Sequence, residues 1–280
     1  MIADISHSGV AGAKALRVTA GRGSVQFTDT VTIEEPLEIT VKDMHGNETD
    51  AGIIMRTPVM DDCLAVGFLF TEGIISNYSD ISFLEGTGSD GVSHNNSITV
   101  TLAENLKIKP GMNRGRRYIN SSCGICGKGS IDMLYLRTGK IQRSGLRVSA
   151  QIIASLPAAL RETQGIFFST GGIHAAGLFT SDGSAVCSAE DVGRHNAVDK
   201  VIGYSVINGK ALDSVILQVS GRAGFEIVEK AAVAGIPVIS SISAPSSLAV
   251  ETCETLGITL LGFVRGRSFN VYSAPERITF

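Results

Sequence analysis

The sequence predicts an α/β protein with a smaller β-rich part at residues 1–150 and a three-layer α/β/α part at residues 151–280. After about residue 150, apolar strands at 215–219, 237–242 and 258–264 alternate with helical segments. Strand–helix–strand connections at this spacing predict right-handed crossovers, and therefore a largely parallel sheet covered on both faces. Before residue 150, apolar residues alternate with a period of two, which is typical of half-buried strands.

The first part contains predicted strands and one helix. Residues 1–22 are small, polar and rich in glycine, so we expect them to be loosely held. Strands are predicted from Val25 to Val41 with a break near Pro36. A helix is predicted to begin at Asp61, because acidic side chains favour a helix N-terminus, and Cys63 on it is expected to be a small buried hydrophobe.

Three further segments are assigned in the second part. Residues 166–169 are predicted to be a short buried strand. Residues 178–180 and 185–187 are predicted to form a hairpin around Asp182-Gly183, a strong two-residue turn signal. A helix is predicted near 194–206.

Composition excludes several classes of protein. The 280 residues are 44% hydrophobic and 18% charged, as in a globular chain. A net charge of −3 and the absence of tryptophan argue against a nucleic-acid partner. No apolar stretch approaches the ~18 residues that span a bilayer, and the first residues lack a secretory pattern. Five cysteines, an odd number, fit a reducing compartment, so we expect a soluble cytoplasmic protein without a membrane partner.

Cys123 and Cys126 stand in a segment, residues 121–129, that is otherwise small and polar. Such a segment has little apolar surface to bury, so an exposed, mobile loop is expected. Lys128 and the basic cluster at residues 114–117 favour the thiolate, which is the reactive form of a thiol. A basic run is by default a solvated surface, but its position beside two thiols favours an anion contact.

Three interpretations of the cysteine pair remain open from its spacing. A zinc site needs two further ligands, yet the other cysteines are isolated in the sequence: Cys63, Cys187 and Cys253. A thioredoxin-like redox pair opens a helix after a strand, whereas residues 110–113 do not resemble a strand. A nucleophilic thiol that carries sulfur or another group is the third. Two ordinary loop cysteines are the structural alternative.

Three predicted strand ends carry small, hydroxyl or cationic residues, at 220–222, 243–247 and 265–268. Ligands of such sheets bind beyond the carboxyl ends of the strands. The first two ends open helices, whose N–H groups attract anions, and arginines in the first and third offer bidentate contacts to phosphate. Ser and Gly at such places usually serve as caps and turns. Three such ends on one edge nevertheless predict a phosphate or nucleotide site.

Two polar clusters belong to the candidate site. One contains His174, and the other, residues 190–196, leads into a helix. Asp191 is a candidate helix cap, and Arg194 or His195 is expected to face a ligand. A lone histidine is more often structural or at the surface, but acid, base and amide within seven residues favour a function.

The histidine and the cysteine pair can be compared with the motif of the zinc nucleobase deaminases. Those enzymes combine His-x-Glu with a later Pro-Cys-x-x-Cys. Here Ala175 and Ala176 follow His174, so the glutamate is missing, and the cysteine pair precedes the histidine without a proline. A deaminase-like fold is compatible with these changes, but hydrolytic deamination is not.

Four segments together match one known family: Cys-Gly-Ile-Cys-Gly at 123–127, Gly-Gly-Ile-His-Ala-Ala at 171–176, Glu-Asp-Val-Gly-Arg-His-Asn-Ala-Val-Asp-Lys at 190–200, and Gly-Phe-Val-Arg-Gly-Arg at 262–267. They resemble the formate dehydrogenase accessory sulfurtransferases, the FdhD family. Residues 56–58 and 67–75 are similar to the family's N-terminal half. One departure is Val-Arg-Gly-Arg at 264–267, where some members carry Lys-Pro-Gly-Arg.

The resemblance implies a cytidine-deaminase-like fold for residues 151–280 and a homodimer. It implies that the chain accepts persulfide sulfur from a cysteine desulfurase. That sulfur would pass to the molybdenum (or tungsten) bis-guanine-dinucleotide cofactor, which formate dehydrogenase requires. Cys123 would carry the persulfide and Cys126 would assist. The family's cofactor-binding segment falls on residues 263–268.

The candidate cofactor contacts from both lines of reasoning are Phe263, Val264, Arg265, Gly266, Arg267, Ser268, Asp191, Arg194, His195, Arg222 and Ser220. No resident metal is predicted. Two other functions stay open: a cofactor chaperone whose cysteine pair serves zinc binding or docking, and a nucleotide-binding thiol oxidoreductase.

Overall fold

The computed structural model describes residues 9–104, 127–141 and 145–280. The elements of the first part are β1 (Val10–Thr19), β2 (Gly23–Thr32), β3 (Glu35–Lys42), β4 (Glu48–Arg56), α1 (Asp61–Thr71), β5 (Ile81–Glu85), β6 (Ser97–Leu102) and α2 (Gly127–Thr138).

The elements that follow are β7 (Val148–Ser149), α3 (Ala150–Glu162), α4 (Gly165–Thr170), β8 (His174–Phe179), β9 (Ala185–Asp191), α5 (Arg194–Ile207), β10 (Ile216–Val219), α6 (Phe225–Val233), β11 (Val238–Ser241), α7 (Ser247–Leu256), β12 (Thr259–Arg265), β13 (Ser268–Ser273) and β14 (Ile278–Thr279). The chain is thus a mixed α/β protein. The predicted hairpin, now β8–β9, and the helix predicted near 194–206, now α5, are confirmed.

The largest sheet has the strand order β13-β12-β11-β10-β8-β9. Its central strands β10, β11 and β12 are parallel, whereas β8, β9 and β13 each pair in antiparallel fashion. The expectation of a largely parallel sheet is therefore wrong. Short connections join β8 to β9 and β12 to β13, and a short connection can only join antiparallel neighbours.

Helices pack on both faces of this sheet. On one face, α3 places Leu156 and Leu160 against Phe179 and Leu261. On the other face, buried residues of α5, α6 and α7 pack against alternate positions of the same strands, including Leu217. Successive side chains of a strand point to opposite faces, so each short strand supports both layers.

A second sheet, β4-β3-β6-β5, packs against α1. This helix begins at Asp61, as predicted, and Cys63 on it is buried. Helix α1 also crosses α5 with their backbones in contact. A Cβ at Gly67 would lie 1.9 Å from the Asp199 carbonyl oxygen, and a Cβ at Gly203 would lie 1.9 Å from that of Cys63. Only glycine permits this approach at both positions. The division of the chain at residue 150 stays a prediction.

The N-terminal prediction is wrong for the described residues, because β1 pairs with β2 along its whole length. The predicted break near Pro36 is confirmed, because β2 ends at Thr32 and β3 begins at Glu35; Pro36 itself lies within β3. In the part of the chain that the structure describes, no helix combines the length and apolar character that crossing a bilayer requires.

Residues 166–169 form helix α4 and not a strand. The Glu190 carboxylate accepts hydrogen bonds from the backbone N–H groups of Ile166 and Phe167, each at 2.8 Å. Those two N–H groups lie in the first turn, where a helix offers them no internal acceptor. A partner distant in sequence therefore stabilises the helical alternative.

Candidate functional site

The predicted ligand edge exists. Strands β10, β11 and β12 run parallel and end on one side of the sheet. The antiparallel strand β8 begins on that side at His174, which lies opposite Asp191 at the end of β9. The fold therefore brings together the strand ends and both polar clusters that the sequence singled out, and we call this side the carboxyl edge.

The segment after β10 is tied closely to β8. The Ser220 hydroxyl accepts a hydrogen bond from the Ala175 N–H at 2.8 Å, and the Ser220 N–H donates to the Ala175 carbonyl at 2.9 Å. A Cβ at Gly221 would lie 3.3 Å from Nδ1 of His174 and 3.7 Å from Cδ of Arg194. Ser220 thus fixes the backbone, while Gly221 leaves room for two polar side chains to approach.

The segment after β11 is held by its own hydroxyl groups. The Ser241 hydroxyl donates to the Gly221 carbonyl at 2.7 Å, which links two neighbouring strand ends. Ser246 caps α7, since its hydroxyl accepts from the Ala249 N–H at 3.2 Å. These hydroxyl groups serve the backbone, which is the ordinary role of serine at caps and turns.

The segment 263–268 forms the tip of the β12–β13 hairpin. Gly266 has a φ of +57°, a left-handed conformation that suits this turn, and Arg267 is the next residue. Phe263, Arg265, Arg267 and Ser268 are exposed at this tip. Most of the predicted segment is therefore available to a ligand.

Two residues of this segment are constrained by the protein. The Val264 side chain is completely buried in the core beneath α3, so it is not available to a ligand, and the predicted cofactor contact at this residue stays a prediction. Arg265 donates from Nε to the Ile242 carbonyl at 2.9 Å. Its guanidinium carbon lies 5.9 Å from the centre of the exposed Phe263 ring. The hydrogen bond to the Ile242 carbonyl fixes the position of the Arg265 side chain, while its terminal nitrogens can bind an anion.

Asp191 is fully buried and accepts hydrogen bonds through both oxygens. Oδ2 faces Lys200 Nζ at 2.6 Å and the Thr57 N–H at 3.2 Å. Oδ1 faces the Gly193 N–H at 2.7 Å and Asn196 Nδ2 at 2.8 Å. Asp191 therefore fixes the start of α5 against the first part of the chain, although the N-cap itself is Gly193. Its position gives no support to the predicted direct cofactor contact.

Arg194 and His195 open α5 at the carboxyl edge. His195 Nε2 lies 2.7 Å from Oε2 of Glu226 on α6, although the two are not aligned as a hydrogen bond. Burial, with Arg194 and Lys230 nearby, lowers the pKa of His195 to about 3. Burial and Arg194 also lower the pKa of His174. Both imidazoles are therefore neutral at pH 7 and can donate and accept hydrogen bonds.

Sequence reasoning missed Glu226 and its neighbour Lys230. Lys230 Nζ donates to Asp199 Oδ2 at 2.8 Å, one helical turn beyond the contact between His195 and Glu226. Two matched pairs at (i, i+4) spacing thus face each other across α5 and α6. That spacing was visible in the sequence, but no local signal indicated that the two helices would be neighbours.

The cysteine pair, with the basic cluster Arg114, Arg116 and Arg117, lies outside the described residues. Helix α2 begins at Gly127, the residue immediately after Cys126. Burial raises the pKa of Cys63 and Cys253, and it raises that of Cys187 to about 12. None of the three cysteines with described surroundings is thus activated as a thiolate. Within residues 9–104, 127–141 and 145–280, no three potential metal ligands cluster.

This chain is similar to known proteins in both sequence and structure. The profile of the FdhD/NarQ family matches residues 32–279. A sulfur carrier protein FdhD of Thermoplasma volcanium is 52% identical over 272 residues, which is 97% of each chain. The sulfur carrier protein FdhD of Thermoplasma acidophilum is 48% identical over 277 residues, which is 98% of this chain and 96% of that relative.

A solved structure is also similar. It is the crystal structure of a protein from Desulfotalea psychrophila assigned as a formate dehydrogenase accessory protein. The two chains are 26% identical and superpose with a TM-score of 0.75, covering 97% of this chain and 100% of the other. The resemblance inferred from the four sequence segments is confirmed: this chain belongs to the FdhD/NarQ family.

Proposed function

We propose that this chain is a sulfur carrier that acts as a sulfurtransferase. Cys123 accepts persulfide sulfur from a cysteine desulfurase and passes it to the molybdenum (or tungsten) bis-guanine-dinucleotide cofactor, which formate dehydrogenase requires. The observation that carries the proposal is a cationic, ligand-accessible carboxyl edge in a family whose relatives are named sulfur carrier proteins.

The electrostatics of the carboxyl edge support an anionic ligand. The whole chain has a net charge of −3, yet four arginines lie at this edge: Arg194, Arg222, Arg265 and Arg267. The nearby carboxylates Glu190 and Asp191 are directed at protein N–H groups. Among the described residues, the side chains of Arg222 and Arg267 form no ion pair and no hydrogen bond, so both are available to a ligand. Guanidinium groups suit the pyrophosphates of such a cofactor through bidentate contacts.

The loading step needs only a thiolate and a donor. The Cys123 thiolate attacks the outer sulfur of the desulfurase persulfide, the donor S–S bond breaks, and the donor leaves as a thiolate. Cys123 then carries the persulfide, and no external oxidant or reductant is consumed. Cys126 lies three residues after Cys123 in the sequence, and we give it the assisting role that the family resemblance implies.

Several finer features belong to the same proposal. The second part adopts a cytidine-deaminase-like arrangement, for which the helices on both faces of the main sheet are the supporting observation. The chain works as a homodimer in the cytoplasm. The edge holds the cofactor through residues 194–195, Arg222 and the β12–β13 tip, while Ser220 and Asp191 position these elements.

Mass spectrometry tests the carrier assignment. Purified protein is incubated with a cysteine desulfurase and cysteine, and the mass of each variant is recorded. We expect one extra sulfur on the wild type and on Cys126→Ala, and none on Cys123→Ala. Cys187→Ala is the matched control, because this thiol is held protonated by burial. Sulfur that still loads on Cys123→Ala contradicts the assignment, and stoichiometric zinc lost from either pair variant favours the chaperone alternative.

A further inference from the structure

One carboxyl group stands out at the cationic edge. Glu226 lies in the first turn of α6, beyond the end of β10, and its side chain is 37% exposed. A free carboxylate among arginines weakens the binding of phosphate by repulsion. Its presence at an anion site therefore calls for another ligand group to satisfy it.

The other acids near this edge are already engaged by the protein. Asp191 accepts from four donors and Glu190 from two backbone N–H groups. Asp199, one turn along α5, is bound by Lys230 and by the Thr71 hydroxyl. Among the described residues, no group donates a hydrogen bond to Glu226, and Nε2 of its neighbour His195, 2.7 Å away, is not aligned to donate one. Glu226 is thus the acid at this edge with acceptor capacity to spare.

We propose that the Glu226 carboxylate binds the 2-amino-4-oxopyrimidine edge of the ligand, accepting hydrogen bonds from its ring N–H and its 2-amino group. This inference rests on the proposed function and names the recognition element of that same site. Two parallel N–H donors match the two oxygens of a carboxylate, as in the pairing of arginine with an acid. Guanine and pterin rings both present this edge, so the shared chemistry is assigned here and the experiment separates the sources.

The surroundings of Glu226 suit this role. The His195 ring lies against one carboxylate oxygen, Oε2, and the Glu226 side chain is still 37% exposed. Arg194 and Lys230 oppose the burial that raises the pKa of Glu226, and so favour its ionised form. Arg222 lies three residues before α6, and its side chain is exposed. It can therefore bind a phosphate of the same ligand. Arg222 and Glu226, four residues apart in the sequence, thus offer a cation for a phosphate and an acceptor for a base.

Nucleotide pairs that differ in one amino group test the proposal. Calorimetric titration compares GDP with IDP, which lacks the 2-amino group, and pterin with lumazine, which has an oxygen there. For the ring that Glu226 binds, we expect the amino form to bind about tenfold more tightly to the wild type. In Glu226→Gln the ratio falls towards one. Glu229→Gln is the matched control on the same helix and keeps the wild-type ratio.

The titrations distinguish between the two rings, and between failure of this inference and failure of the proposed function. A ratio lost in Glu226→Gln for GDP and IDP identifies guanine, and one lost for pterin and lumazine identifies the pterin. If ligands bind but neither ratio depends on Glu226, the inference is overturned while the proposed function stands. If neither GDP nor pterin binds the wild type, both are overturned. Because each ratio is measured on one protein sample, partial unfolding of a variant does not mimic the effect.

Discussion

The cluster around Asp191 and the tip of the β12–β13 hairpin both carry charged residues from the most distinctive sequence segments, yet they differ in burial. Asp191 and Lys200 are fully buried and bind each other and the backbone of Thr57. Arg265 and Arg267 are exposed at the hairpin tip. The difference teaches that charge in a motif does not by itself mark a ligand contact. Buried charged residues hold the surrounding elements together, whereas exposed ones are available to bind a ligand.

Removing Lys200 should have the largest effect. In Lys200→Met, Asp191 loses its cation inside the core, which costs about 3–5 kcal/mol of the free energy of unfolding. Denaturant unfolding followed by circular dichroism measures this. Lys210→Met, at an exposed position, serves as the control and should change stability by less than about 0.5 kcal/mol. A stable Lys200→Met protein that binds ligand more weakly would place Lys200 in the binding site instead.

The neutral state of His195 predicts a pH dependence of stability. Its pKa is lowered from 6.5 to about 3 in the folded state, so the unfolded state binds more protons between these values. Stability therefore falls as the pH falls, by about 1.6 kcal/mol between pH 6.5 and pH 5. In His195→Gln this contribution disappears, while His174 retains a smaller one of the same sign.

The measurement for His195 is the free energy of unfolding at several pH values. Burial raises the pKa values of Glu190, Asp199, Glu226 and Glu229, and such groups contribute with the opposite sign. The difference between wild type and His195→Gln is therefore the informative quantity. Parallel pH profiles for the two proteins would contradict a neutral, buried His195.

Removing Arg267 should affect stability least. The side chain is exposed, so Arg267→Ala should change the free energy of unfolding by less than about 0.5 kcal/mol. Loss of a charged hydrogen bond to phosphate should weaken GDP binding about tenfold. Calorimetric titration checks the affinity, with Arg22→Ala at the exposed β1–β2 turn as control. Equal affinities in all three proteins would remove the hairpin tip from the site.

The elements that local sequence predicts well are those that local physics decides. The β8–β9 turn carries Asp182-Gly183, and α1 begins at two acidic residues. Helix α4 escaped prediction because a short apolar run suits a strand or a helix, and the deciding contact comes from Glu190. The β1 strand escaped because its pairing with β2 outweighs its weak local preference.

The candidate site divides in the same way. Strand ends can be placed from sequence, since parallel strands finish on one edge, and this correctly gathered Ser220, Arg222 and Arg265. The direction of each side chain could not be derived, because burial depends on distant partners. Val264 faces the core, and Asp191 faces Lys200. The contact of Glu226 with His195 exists only because α6 packs beside α5, so the sequence alone did not indicate it.

The central claim is that sulfur carried on Cys123 is delivered to a ligand held at the carboxyl edge. The most direct measurement loads Cys123 with persulfide, adds the molybdenum bis-guanine-dinucleotide cofactor, and follows the extra sulfur on the protein by mass spectrometry. We predict that the wild type loses this sulfur to the cofactor and that Arg267→Ala, equally loaded, retains it several times longer. Loss at the same rate from both proteins, or from neither, would contradict the account.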